Sequence, residues 1–270
     1  MQVTMNRLEQ AGYLESSGAH LYTVLHGATD PVARVLLVGP FASERNFSYL
    51  PWVRWARFLA ARRIETLRYD YRGVGESTGI FEELSITDWC EDVEFLAGWL
   101  RRRSPHVPLI LHGLELGALL ASETFVRGLG DALLMWAAPT NANEVLRTVL
   151  LRHIAADHAF REPAERKPVS DYIKQLEADW PLEVEGYKWE GTLWRDSFKL
   201  ELPLGNGDGG TSAWACGRPV RRVKLDKNAA PLVKGSSLAY VLLNPDLSGL
   251  FADNVEWIAA HLGIRLTERQ

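Results

Sequence analysis

Cysteine is scarce in this chain. Cys90 and Cys216 are its two cysteines in 270 residues, far apart and in no metal-like spacing. That argues against a disulfide framework and fits free thiols in a reducing cytoplasm. No metal and no cofactor is expected. Long apolar runs are also missing. No segment reaches the roughly 18 apolar residues that span a bilayer, so no membrane span is expected. The segment Met1 to Arg7 lacks the apolar run of a secretion signal, and a cytoplasmic location is the expectation. Positive charge is not in excess either. With 30 basic and 34 acidic side chains the net charge is −4, which gives no reason to expect a nucleic-acid partner. Basic residues cluster only locally, as in Arg101-Arg102-Arg103, which reads as a solvated helix end. There is no internal repeat.

What the chain does have is material for a core. At 47% hydrophobic and 24% charged, 270 residues suffice for one large domain, or one domain with an insert. Tyr13 to Ser16 and Leu21 to Leu25 read as a hairpin around Ser17-Gly18-Ala19. Four apolar runs, Val35 to Pro40, Ile64 to Tyr71, Leu109 to Leu111 and Ala132 to Ala138, suit strands buried on both faces of a parallel sheet. Helical spacing predicts helices over Tyr49–Arg62, over Thr87–Leu100 with Thr87 as N-cap, and over Ala118–Val126. Strand and helix alternating in this way predict a parallel sheet with right-handed crossovers.

From Thr140 to Gly217 that rhythm breaks. Asn143 to Ala156 and Asp171 to Ala178 read as helices, and the glycine-rich Leu204 to Gly217 reads as a flexible linker rather than a ligand loop. The rhythm resumes with strands at Val220–Leu225 and Leu238–Leu243. A closing helix over Asp253–Leu262 follows, with Asp253 as N-cap and Gly263 as terminator. The division is therefore a core over residues 10–140 and 218–265 with an insert over 141–217.

Three motifs stand out. Val35 to Pro40 runs into Phe41-Ala42-Ser43-Glu44. Tyr69 to Ser77 reads YDYRGVGES. Gly113-Leu114-Glu115-Leu116-Gly117 follows the apolar strand Pro108 to Leu111. In this order they resemble the α/β-hydrolase superfamily, the second motif being similar to its D-x-R-G-x-G-x-S stretch and the third to its G-x-S-x-G elbow. The resemblance implies an α/β-hydrolase fold, a mostly parallel doubly wound sheet with a helical lid inserted at 141–217. In that elbow the central side chain stands on a sharp strand-to-helix turn, beneath backbone N–H groups that form the oxyanion hole. The flanking glycines permit the tight bend. Here the central residue is Glu115. Phe41 and Ala42 occupy the place whose backbone lines the hole, and Leu116 follows the elbow, so these three are the candidate ligand-binding positions. A narrower likeness rests on His112 to Ala121 and Pro181 to Tyr187. These resemble hydrolase-like proteins associated with bacterial exosortase systems, where a charged residue often stands at the nucleophile position. That likeness implies a bacterial protein near exopolysaccharide or protein-sorting pathways.

A serine hydrolase of this fold orders its triad as Ser, then Asp or Glu, then His. Glu115 fills the first slot. Asp226 in Lys224-Leu225-Asp226-Lys227 is the candidate for the second, the bland alternative being an exposed turn aspartate between lysines. The third should lie in Asn244 to Phe251, which contains no histidine. His261 comes a helix later. His153 and His158 reach the elbow only if a lid brings them there. His112 reads as a packed core histidine. Triad members act as a unit, so losing both nucleophile and base removes nearly the whole contribution.

Three uses of Glu115 remain. Its reference pKa of roughly 4.3 and the helix N-terminus behind it predict an anion. As a carboxylate nucleophile it would form an ester whose hydrolysis needs a base that the chain does not supply. As a general base it could serve a non-covalent reaction. Most simply, it could fill the hole itself through charge-assisted hydrogen bonds worth about 1.5–3 kcal/mol. The preferred expectation is a catalytically impaired or repurposed hydrolase-like protein that binds a small-molecule or glycan-derived ligand near Glu115. A true hydrolase using Glu115, with Asp226 as its acid, is the alternative, and a protein-interaction scaffold is the third. Asp70, Arg72 and Glu76 are expected to form a structural ion-pair and turn network. Trp180, Tyr187, Trp189, Trp194 and Trp214 either stack on sugar rings, line an apolar lid or pack the core of the insert.

Overall fold

The computed structural model describes residues 9–203, 216–225 and 246–266. Strands β1 (Glu9–Ser16) and β2 (Ala19–His26) form an antiparallel hairpin. Then β3 (Ala33–Val38), α1 (Ala42–Ala60), β4 (Ile64–Tyr69), α2 (Ile86–Arg103), β5 (Leu109–Leu114), α3 (Leu116–Val126) and β6 (Ala132–Trp136) alternate. Next come α4 (Ala142–Ala159), α5 (Val169–Glu177), the hairpin β7 (Leu182–Val184) and β8 (Tyr187–Trp189), and α6 (Gly191–Asp196), in the segment expected to be an insert. Strand β9 (Val220–Val223) and helix α7 (Ser248–Leu262) return to the core.

Among the described residues, seven strands form one sheet in the order β1-β2-β4-β3-β5-β6-β9. β2 pairs antiparallel with β4, and every pairing from β4 to β9 is parallel. Successive side chains of a strand face opposite ways, so a strand covered on both sides must be apolar throughout. β3 shows this directly. Leu36 and Val38 join the cluster beneath α2 and α3, while Val35 and Leu37 join the one beneath α1 and α7. From the insert, Leu176, Val184, Trp189, Leu193 and Trp194 belong to the α2/α3 cluster. Among the described residues, these side chains form no separate apolar centre; they extend the core on the α2/α3 side of the sheet.

Several boundaries differ from the sequence expectation. α1 starts at Ala42, not Tyr49, and carries Pro51 inside it. Burial of Trp52, Trp55, Ala56 and Leu59 against the sheet outweighs the proline's local cost. α2 is capped by Ser85, not Thr87: the Ser85 side chain and Asp88 form a reciprocal capping box. α7 begins at Ser248, ahead of the expected cap Asp253, because Phe251 already packs in the core. Gly263 ends that helix in the left-handed conformation, as expected. Asp226, Trp214 and the expected strand Leu238–Leu243 lie outside the described residues.

Candidate functional site

β5 delivers the chain to Glu115, and α3 begins at the next residue. Glu115 takes φ 54° and ψ −119°. A non-glycine residue at positive φ stores strain that its surroundings must hold in place. The flanking glycines explain how they do so. A Cβ on Gly113 would collide with the backbone of Gly117 and Ala118. One on Gly117 would collide with the carbonyl oxygens of Val38 and Gly39. Helix α3 can lie against β3 and β5 only because both side chains are missing. The Glu115 N–H donates to the Trp136 carbonyl at 3.0 Å, which ties the bend to the end of β6.

The Glu115 carboxyl turns back onto its own elbow. Its Oε2 accepts the Leu116 N–H at 3.0 Å, and the Phe41 amide also favours the charged form of this carboxyl. Leu116 and Phe41 are two of the three positions, with Ala42, that the sequence offers as ligand-binding. Burial pushes the Glu115 pKa up to about 8, and the nearby Glu44 pushes the same way. The Leu116 and Phe41 amides and Arg152 pull it back only in part. The expected anion is thus corrected: desolvation outweighs the helix N-terminus, and at neutral pH the group is mainly the neutral acid.

A charged cluster sits beside this acid. Glu44, in the first turn of α1, is 1% exposed. Arg152 of α4 bonds both of its oxygens, Nη1 to Oε1 and Nη2 to Oε2, the latter at 3.1 Å. The same guanidinium bonds Glu185, in the turn between β7 and β8, at 2.5 and 3.0 Å. Ser43 adds its hydroxyl to Glu185 at 2.6 Å and its N–H at 3.3 Å. Burial raises the Glu185 carboxyl, but Arg152 and Ser43 outweigh it and leave it below the usual range. An aromatic wall closes the other flank. Phe41 lies 5.3 Å from Trp89 and 5.6 Å from Tyr187, and Tyr187 lies 4.8 Å from Phe81, ring centre to ring centre. The Tyr71 hydroxyl donates to the Gly39 carbonyl; burial and the nearness of Glu115 both raise its pKa.

The structure thus brings Glu115, Phe41 and Leu116 together through the backbone. Ala42 is buried at φ 54° between Phe41 and Ser43. Among the described residues no imidazole hydrogen-bonds Glu115. His153 accepts the Glu185 N–H at 3.4 Å through Nδ1. His112 is fully buried and kept neutral by that burial; its Nδ1 accepts the Trp55 indole N–H at 3.0 Å, and Trp136 packs 4.5 Å away. His261 contacts the Trp257 carbonyl through Nδ1 at 2.9 Å. Asp70 and Arg72 pair elsewhere rather than with each other. Asp70 takes Arg45 at 2.5 Å and the Glu76 N–H at 3.0 Å, whereas Arg72 takes Asp92 at 2.6 Å. Trp189 and Trp194 are core residues, and Trp180 is 68% exposed.

Glu44, Arg152 and Glu185 were not identified from the sequence. Glu44 and Arg152 lie 108 positions apart, and no local pattern links them. The available signal was Glu44 itself, an acid at the start of a helix beside the hole loop. Among the described residues no group of three or more His, Cys, Asp or Glu side chains is placed to hold a metal ion. No described helix is long and apolar enough to cross a membrane.

Compared with known families, the chain matches none, and no curated protein matches it by sequence. Solved structures do resemble it. Est1E from Butyrivibrio proteoclasticus, solved with ferulic acid, is 14% identical with a TM-score of 0.64, covering 94% of this chain and all of its own. The α/β-hydrolase GrgF from Penicillium sp. sh18 is 13% identical with a TM-score of 0.58, covering 95% of this chain and 99% of its own. The mouse α/β-hydrolase domain-containing protein 10 is 16% identical with a TM-score of 0.54, covering 93% of this chain and 99% of its own. At such identities the likeness is one of architecture. Together with the strand order and the bend at Glu115, it means that this chain has the α/β-hydrolase fold.

Proposed function

We propose that this protein is a hydrolase-fold binding protein without serine-hydrolase activity, in which Glu115 occupies the oxyanion hole that a substrate carbonyl would need. The observation that carries the reading is the Leu116 N–H taken by the Glu115 carboxyl itself at 3.0 Å, with the Phe41 amide also acting on that carboxyl. A tetrahedral oxyanion needs those donors free and aimed at it. The ligand class is a small, hydroxyl-bearing or glycan-derived molecule meeting the neutral acid beneath a lid formed by residues 141–217. The test is direct. Purified protein is exposed to short-chain nitrophenyl esters and to a fluorophosphonate probe. No turnover and no labelling above a heat-denatured control is expected. Steady ester turnover that disappears in Glu115→Gln would sink the reading.

One observation favours a second use of the same group. A carboxyl that titrates near pH 8 can exchange its proton at working pH, as a general acid or base must. In that case any turnover would follow a pH profile with an inflection near 8. The profile would be flat in Glu115→Gln.

A further inference from the structure

The cluster around Arg152 ties three separate parts of the chain together. Glu44 and Ser43 belong to the start of α1, directly after Phe41 and Ala42. Arg152 sits in α4, and Glu185 is the turn residue of the β7–β8 hairpin. One guanidinium spans both carboxylates with four hydrogen bonds, and Ser43 holds Glu185 with two more. Glu185 stands at φ 49° and Ala42 at φ 54°. Both residues are therefore in a backbone conformation that does not hold itself. The Glu185 N–H is in turn anchored on His153, the neighbour of Arg152. From the hairpin, Tyr187 packs on Phe41, the residue that supplies one hole amide.

We infer that Arg152 and Glu185 are positioning residues: they form a latch that couples the seating of the β7–β8 hairpin to the shape of the Phe41–Ser43 loop, so that the hairpin and one wall of the hole open as a unit. The physical basis is asymmetric. When the hairpin lifts, Glu185 can go to water, but Glu44 is buried and keeps Arg152. Arg152 then loses half its partners, and Ser43 loses the acceptor that fixes its hydroxyl and its N–H. The strained Ala42 is left without support from the insert and relaxes. The Phe41 N–H turns with it.

This inference rests on the Phe41 amide being part of the site proposed above, and amide hydrogen exchange separates the two ideas. Exchange is followed in the wild-type chain and in Arg152→Met, Glu185→Gln, Ser43→Ala and Arg152→Lys. Expected in Arg152→Met and Glu185→Gln is an increase at residues 41–44 and 182–189 that exceeds any rise in the β6 amides by about tenfold or more. Ser43→Ala and Arg152→Lys should fall between these and wild type. Faster exchange in the hairpin alone, with residue 41 unchanged, would overturn the coupling. So would an equal rise everywhere including β6, because the cluster would then serve only global stability. No change in either region overturns the latch outright. Glu115→Ala is the separate control. Loss of protection at residues 41 and 116 with the hairpin still protected would uphold the filled hole whatever becomes of the latch; protection kept at both amides would count against the filled hole alone.

Discussion

Two buried arginine–carboxylate clusters in this fold look alike and behave differently. In the first, Asp92 of α2 is fully buried and receives Arg72 at 2.6 and 3.2 Å and the Ser16 hydroxyl at 3.1 Å. Burial raises its pKa by more than those partners lower it. In the second, Arg152 is shared between Glu44 and Glu185, with Ser43 as the extra donor. There the outer acid, Glu185, ends with a lowered pKa although burial acts on it too. The first cluster joins the β1–β2 hairpin, the Arg72 loop and α2, all parts of the core. The second joins the start of α1 to α4 and to the β7–β8 turn, and the Arg152 side chain is 30% exposed. A sealed pair stiffens what is already fixed. A pair with one foot in solvent can hold a boundary that is still able to move.

The comparison can be broken most sharply at Arg72. Arg72→Met leaves Asp92 buried with only Ser16 beside it, and the expected loss is about 4 kcal/mol of folding stability, measured by urea unfolding. A loss under about 1 kcal/mol would mean that Asp92 simply takes up a proton. Arg152→Met comes next. It strands Glu44 in the same manner, but water reaches the vacated space, so about 3 kcal/mol is expected. If it costs more than Arg72→Met, the sealed-versus-boundary distinction is wrong.

Glu115 sharpens the comparison through pH, since Glu44 acts on it and Arg152 opposes that action. Its carboxyl keeps its proton up to about pH 8 in the folded chain, against an ordinary value of 4.5. Between those values the folded state binds more protons than the unfolded one, so stability falls as pH rises. Glu115→Gln cannot ionise. Its advantage over wild type should therefore grow from about pH 5 to pH 8, by up to about 1.4 kcal/mol per pH unit, and level off above that. Paired melting curves from pH 5 to 9 would show it, and a constant difference across the range would refute the raised pKa. The smallest effects belong to the two serines. Ser16→Ala and Ser43→Ala each remove one hydroxyl from a carboxylate and should cost about 1 kcal/mol. Ser16→Ala should be the larger because Asp92 is sealed from water. A larger loss in Ser43→Ala would reverse that ranking.

Much of the architecture was legible because it depends on local pattern. The continuous apolar runs at Val35, Ile64, Leu109 and Ala132 had to be strands covered on both faces, and they are. Gly113 and Gly117 read as glycines that permit the bend at Glu115, whereas it is close backbone approach that excludes their side chains, and His112 reads as a packed residue from its place on a core strand. Where local rules competed, the finer reading failed. Thr87 and Asp253 look like caps in isolation, but the helices start earlier because apolar residues ahead of them, Ile86 and Phe251, already find the core. The electrostatic clusters were not legible at all. Arg72 finds Asp92 rather than Asp70, and Arg152 finds Glu44, because the folded backbone selects among many acids that are equivalent along the chain.

By itself, then, the sequence determined the alternation of strands and helices, the tight bend at Glu115 and the acid at its centre. Those follow from covalent geometry and from which side chains tolerate burial. Tertiary structure alone decided the charge state of that acid and what surrounds it. A carboxyl's pKa depends on the water removed from it and on charges brought near it, and both come from segments far away in the chain: Glu44 from the helix after β3, Arg152 and Glu185 from the insert.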